Sequence, residues 1–294
     1  MHPYLFKIPL PGGHRFPVAS YGSMILVGFL VCLWLFQRRG RRMGLDPTAL
    51  FDVAVYGLLG GVAGARLFYV VQHWAYFAEE PLHILFLHEG GLAFFGGLIG
   101  GAAGLLGGLV AKGLPLRATL DVAASLVPLG HAFGRMGCFL NGCCFGKVTH
   151  SWLGVRFPRI VAENGTISGS PVFLHHLSEG LVAATDAHSL PVHPTQLYAV
   201  AYNLAIFGVL SYLLPRRRRP GQVAWLYLIL YGTARCGNEF LRADTAPRAA
   251  LGGLTLFQAI AIAGVTFGLI MFLDTVRRPR VPVPEPWRPP EAGS

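Results

Sequence analysis

Charge is what this 294-residue chain has least of. Asp, Glu, Lys and Arg together make up 13% of it against 53% hydrophobic residues, and the mean hydropathy is +0.51. That balance excludes an ordinary soluble domain of this length. Four windows carry no charge at all: 22 residues between Arg15 and Arg38, 22 between Glu89 and Lys112, 29 between Asp186 and Arg216, and 25 between Arg248 and Asp274. Each exceeds the roughly 20 residues that a membrane-spanning helix needs. Lysine is nearly missing, with Lys7, Lys112 and Lys147 among 24 basic residues, so a preference for arginine is by itself compositional. A basic n-region is missing too: MHPYLFKIPLPGG is broken by Pro and Gly, so no cleavable signal peptide is expected and the segment reads as lying before the first span. The five cysteines, Cys32, Cys138, Cys143, Cys144 and Cys236, include no CxxC pair and match neither the zinc-knuckle nor the haem spacing. Metal and cofactor are therefore not expected, and an adjacent-residue bridge between Cys143 and Cys144 is too strained to expect. The basic runs come without an aromatic or helical reading surface, which excludes a nucleic-acid partner.

Three further segments are apolar but interrupted: Leu50 to Gln72 by Arg66, Ala118 to Phe139 by Asp121 and Arg135, and Gln222 to Phe240 by Arg235 and Glu239. Gly57, Gly60, Gly61 and Gly64 in the first would weaken a helix in water but suit close packing in lipid. The expectation is an all-α polytopic membrane protein of about seven transmembrane helices. Basic clusters follow the first helix (Arg38, Arg39, Arg41, Arg42), the third (Lys112, Arg117), the fifth (Arg216 to Arg219) and the seventh (Arg277, Arg278, Arg280). Placed on one side, they are cytoplasmic, so the N-terminus is expected outside and the C-terminus in the cytoplasm. These clusters also account for the formal charge of +10 and can touch anionic membrane lipids. Residues 1–275 read as one integral membrane domain with an outward loop at about 147–192. The proline-rich 276–294 reads as a disordered cytoplasmic tail.

Polar residues at membrane depth carry the chemistry. An arginine in hydrocarbon costs about 2.5–3.5 kcal/mol on insertion scales, so one held there faces a polar cavity and a partner such as phosphate. Arg135 and Asn141 fall within GRMGCFLNGCCFG (Gly134 to Gly146), where Gly134 and Gly137 flank Arg135 and His131 stands one turn away. Tyr231, Arg235, Glu239 and Arg242 recur at steps of four, four and three, along one helix face. A self-satisfied Arg235–Glu239 pair is the plainer reading of that stripe; two arginines on different helices gripping one anion is the functional one. In GGLAFFGGLIGG, Gly96 and Gly100, and Gly97 and Gly101, form small-xxx-small pairs, read either as helix packing or as a groove for an acyl chain or head group. In HPTQLY (His193 to Tyr198), Thr195 or His193 can cap a helix and Pro194 suits its first turn, which leaves Gln196 and Tyr198 unexplained.

These blocks, together with GARLFYV at Gly64 to Val70 and YGTARCGNEFLRAD at Tyr231 to Asp244, resemble the prolipoprotein diacylglyceryl transferase family of bacteria, in order, from Tyr21 to about Leu273. The resemblance implies an enzyme of the bacterial cytoplasmic (inner) membrane. Such an enzyme moves the diacylglyceryl group of phosphatidylglycerol onto the lipobox cysteine in the signal peptide of a preprolipoprotein, forms a thioether and releases glycerol phosphate. It implies that Arg135 contacts the phosphatidylglycerol head group and that Arg235 is a second essential arginine. Tyr21, Asn141 and Glu239 join them as catalytic residues, and Gly146, Tyr231, Gly96 and Gly97 join the arginines in binding the lipid. The chain departs from the family pattern at Phe95 (histidine in the family), Cys138 (Asn), Cys143 (Glu) and Ala199 (Glu). Phe95 removes a candidate general base, which leaves Glu239 as the leading acceptor for the thiol proton and His131 in reserve. The rival readings are a non-catalytic lipid-binding paralogue, suggested by Phe95 and Ala199, and an anion transporter, suggested by the arginines. The chain lacks the internal repeat that many transporters show.

Overall fold

The computed structural model describes residues 4–9, 15–86, 90–161, 166–167, 170–243, 252–282, 285–286 and 288. It is all-α apart from one antiparallel hairpin, β1 (Tyr4–Pro9) with β2 (Arg15–Ala19). Ten α-helices follow among the described residues: α1 (Ser20–Arg42), α2 (Pro47–Gln72), α3 (Trp74–Glu79), α4 (Phe94–Ala111), α5 (Leu116–Ala124), α6 (Val127–Asn141), α7 (Pro171–Ser178), α8 (Thr195–Leu213), α9 (Gln222–Glu239) and α10 (Leu256–Arg277). Four of them, α1, α2, α8 with its 3₁₀ extension to Arg216, and α10, are long and apolar enough to cross a membrane. α4 is apolar but shorter, and the segment expected as a single fourth span is two helices. Pro128 explains the break: its ring clashes with the carbonyl four residues back and it has no N–H to donate, so the helix stops at Ala124 and restarts at Val127.

The chain divides into two compact units. In the unit formed by Leu33–Val122 and Pro282–Ser294, α2 and α4 run antiparallel along a glycine seam. A Cβ on Gly60 would strike the Gly100 carbonyl, and one on Gly64 would strike the Gly96 carbonyl and come within 2.9 Å of the Gly100 Cα. Backbones approach this closely only where side chains are missing, the usual means of helix association in lipid. Arg66 on α2 is 6% exposed, and its guanidinium donates to the carbonyls of His83, Ile84 (2.9 Å), Phe86 (3.4 Å), Gly90 (2.6 Å) and Gly91 (3.2 Å). Five carbonyl partners thus make this charge tolerable, and they draw residues 83–86 and 90–91 around it. At the other end of the helix pair Lys112 meets Asp52 at 2.5 Å.

The second unit, Met1–Cys32 with Ala123–Val281, pairs α6 with α8, α8 with α9 and α9 with α10. The 147–192 loop folds back on itself through bridges Val148–Val192, Val155–Val192 and Pro158–His188. Phe145, Phe157, Val172 and Val192, at most 3% exposed, form its core. Residues 162–165 and 168–169 of that loop lie outside the described residues, as do 283–284, 287 and 289–294 of the expected tail. α10 continues to Arg277, and the chain after it is held at two points. Arg219 donates to the Arg278 carbonyl at 2.7 Å, and the Val281 N–H donates to the Arg218 carbonyl at 2.9 Å.

The glycine seam sets a direct test. Gly100→Val is expected to abolish the cooperative melt of detergent-solubilised protein, since overpacking typically costs about 1–3 kcal/mol and here the obstacles are backbone atoms that cannot rotate away. Gly107→Ala, which meets nothing within 4 Å, should melt like wild type. A wild-type melt for Gly100→Val would refute the seam.

Candidate active site

The site is built on the first part of α1 (Ser20–Cys32), on α6 and α9, and on the loops that follow α6 and α9, all in one unit. α6 ends at Gly142, whose φ of 75° is the left-handed turn glycine adopts without penalty; a Cβ there would lie 2.6 Å from that of Ser170. The reversal folds the chain back under the helix, so the Cys143 N–H returns to the Cys138 carbonyl at 3.1 Å. Cys144 follows at φ 59°, left-handed although not glycine. The result brings the sulfurs of Cys138, Cys143 and Cys144 within 4.8 Å of one another, with Asn141 hydrogen-bonded to Cys143. Residue spacing put the three cysteines within seven residues but matched no familiar ligand pattern; it is the turn that brings their sulfurs together.

Thr195 and Gln196 hold the loop in place. The expected helix cap is absent: the N-cap of α8 is Pro194 and no side chain caps it. The Thr195 hydroxyl instead donates to the Cys144 carbonyl at 2.8 Å, and the Gln196 amide donates to the Cys143 carbonyl at 2.7 Å. Tyr198 meets His193 Nδ1 at 3.3 Å. Gly146 is a backbone crossing point, bonded through its N–H to the His193 carbonyl at 3.0 Å and bridged to Arg242. A Cβ there would stand 2.7 Å from the His193 and Leu241 carbonyl oxygens.

On α9, Arg235 ion-pairs with Glu239, whose side chain is fully buried. Arg242 lies beyond the helix end rather than on it, yet its Nε reaches the same carboxylate oxygen at 3.8 Å. The Thr255 hydroxyl donates to the other oxygen at 3.0 Å while accepting from the Gln258 N–H, so the capping box of α10 is tied to Glu239. Phe257 lies 5.1 Å from the Arg235 guanidinium carbon. Arg135, half-buried on α6, has no ion-pair partner and no hydrogen bond among the described residues. It stands in the electrostatic field of Cys144, Cys138, Arg242 and Tyr231. Tyr21 on α1 lies over Gly137, 44% exposed, in the field of the same three thiols and Arg135. Tyr231 packs 4.9 Å from His131 and stacks on Tyr227 at 5.5 Å. Hydrogen bonds from the Cys138 and Cys143 thiols, then the Arg135 and Arg242 charges, pull the Cys144 thiol well below its usual range.

Thus Tyr21, Arg135, Asn141, Gly146, Tyr231, Arg235 and Glu239 fall in one unit around one cluster. Gly96 and Gly97 belong to the other, where they pack against Gly64 and Ala65 of α2. Sequence reasoning did not find the cavity of about 510 Å³ beside the ion cluster, lined by Glu239, Arg242, Thr255 and Gln258 together with Lys147, His175 and His176. Burial, with His175 beside it, pushes the His176 imidazole down. The T-x-x-Q capping signature at Thr255 was readable from sequence; its grip on Glu239 was not.

The sequence profile of the family described as prolipoprotein diacylglyceryl transferase matches residues 3–273. Several relatives carry the name phosphatidylglycerol–prolipoprotein diacylglyceryl transferase. The Clostridium tetani protein is 30% identical over 95% of this chain and all of its own length. That of Symbiobacterium thermophilum is 33% identical over 88% of this chain and 89% of its own. That of Bacillus cereus is 34% identical over 94% and 93%. With the profile spanning nearly the whole chain and these relatives matched end to end, the chain belongs to the prolipoprotein diacylglyceryl transferase family.

Proposed function

We propose that this protein transfers the diacylglyceryl group of phosphatidylglycerol to the lipobox cysteine of preprolipoproteins in the bacterial inner membrane. Its seven apolar segments span the bilayer with the N-terminus outside and the arginine clusters in the cytoplasm. The observation that carries the reading is the excess of positive charge at the site: two guanidiniums, Arg235 and Arg242, share one carboxylate, and a third, Arg135, stands in the field of Arg242 and pairs with no acid among the described residues.

Transfer breaks the bond between the glyceryl carbon and a phosphate oxygen, so a phosphodiester with one negative charge becomes a departing monoester with two. Fixed positive charge in a water-poor site stabilises that change more than it stabilises the ground state. Arg135 meets the phosphate directly. Arg235 and Arg242 add positive potential while Glu239 holds their geometry. With both of its oxygens engaged, Glu239 serves as a positioning residue rather than as the proton acceptor. The cavity beside Arg242 suits the polar glycerol phosphate, and Tyr21 stands where a peptide thiol enters from the lipid. Purified protein incubated with labelled phosphatidylglycerol and a lipobox peptide should form a thioether; failure to transfer label would leave a lipid-binding paralogue or an anion transporter.

Two variants probe the arrangement. Arg135→Lys should lose about 10²-fold or more in transfer at matched expression, because an ammonium cannot present the planar fork to two phosphate oxygens; wild-type turnover removes Arg135 from the phosphate. Glu239→Gln should lower transfer more than His131→Gln does, since it leaves two buried guanidiniums without their counter-charge, a defect of about 3–5 kcal/mol when one partner of a buried pair is removed. A larger loss for His131→Gln in the same thioether assay would move the essential polar group to α6.

A further inference from the structure

We propose that Cys138, Cys143 and Cys144 form a three-thiolate zinc site whose fourth position takes the incoming substrate thiol. A tetrahedral zinc with Zn–S bonds of about 2.3 Å sets neighbouring sulfurs somewhat under 4 Å apart, and the three sulfurs here already lie within 4.8 Å of one another. All three cysteines are free, so none is committed to a disulfide. Cys138 is buried at 7% exposure while Cys143 and Cys144 are half-buried, which gives the cluster a closed side and an open side. Its geometry is specified from outside: the backbone carbonyls of Cys143 and Cys144 are each held by a side chain of α8, and Cys144 is kept in a left-handed conformation that only surrounding structure maintains. Three thiolates around a dication leave one negative charge, beside which lie Arg135 and Arg242. Thiolates are soft ligands that select zinc over the hard cations, and three protein ligands with an open position is the catalytic rather than the structural pattern.

The ion supplies what Phe95 and the occupied Glu239 do not. A thiol that coordinates zinc gives up its proton to solvent. The sulfur lone pair then forms the C–S bond to the glyceryl carbon, the C–O bond breaks with its electrons staying on the phosphate oxygen, and glycerol phosphate leaves with one added negative charge. The presence of the ion is independent of the transferase reading; its role in activating a thiol rests on that reading.

Protein purified in detergent without chelator should contain one zinc per chain by elemental analysis, with X-ray absorption reporting sulfur neighbours at about 2.3 Å. Cys143→Ser and Cys144→Ser should lose zinc, while Cys236→Ser on α9 retains it. Because the absorption spectrum is read on the wild type, the site remains testable if those variants fail to fold. Stripping zinc should lower thioether formation at pH 7 about 30-fold, the ratio of a fully ionised thiol to one with a pKa near 8.5. It should also turn a pH-independent rate into one that climbs with pH. Zinc bound through sulfur in a protein that transfers nothing supports the site and overturns the transferase reading. Transfer by zinc-free protein at the full rate, a disulfide among the three cysteines, or zinc that ignores the cysteine substitutions overturns the inference.

Discussion

A single buried carboxylate, Glu239, holds two guanidiniums that hydrocarbon would otherwise reject. Removing water from three charges is tolerable only if each finds its counterpart in good geometry. Here the helix supplies Arg235 one turn away, and the chain just past the helix end turns back to supply Arg242. Because Thr255 closes the remaining oxygen, the carboxylate also fixes the start of α10. Because Arg242 bridges Gly146, the same interaction reaches the cysteine loop. One acid therefore coordinates α9, α10 and the loop after α6.

The loops are held mostly by backbone carbonyls. Cys143 and Cys144 present theirs to Gln196 and Thr195, and Gly146 and Lys147 together exchange backbone bonds with His193 before α8. Such contacts leave side chains free to face one another, which is how three thiols, a tyrosine and an arginine without an acid partner among the described residues share one place. Rigidity in this arrangement comes from the loops, and preorganised positive charge is what a departing phosphate needs.

Much of the architecture was legible in the residues because the bilayer writes length and polarity into a sequence so plainly. The uncharged windows became α1, α4, α8 and α10, and Arg135, Arg235 and Glu239 stood out as charges in apolar surroundings. Part of what stayed hidden has one cause. Arg66 is satisfied by carbonyls 17 to 25 residues away, and a carbonyl has no residue type to recognise. Gln196 looked purposeful without a visible partner for the same reason, since it too binds a carbonyl, whereas Tyr198 meets the ring of His193. The cysteines were set aside as metal ligands because their spacing matches no familiar pattern, whereas the reversal at Gly142 brings their sulfurs together. Arg242 was placed on a helix face by arithmetic, whereas the helix ends three residues earlier and the arginine reaches the same carboxylate by another route.

The glycine seam between α2 and α4 has a consequence for how this protein can change over generations. Where a Cβ would collide with a facing carbonyl, glycine presents a hydrogen, and Cα–H···O contacts of this kind contribute about 0.5–1 kcal/mol each. Lipid gives two apolar helices little reason to prefer one another to acyl chains, so these weak polar contacts and close dispersion hold the pair. Such an interface contains no side chain to exchange for a similar one. Compensating substitutions, by which a packed core drifts while keeping its volume, are closed to it, and Gly60, Gly64, Gly96 and Gly100 should persist together or be lost together as lineages diverge.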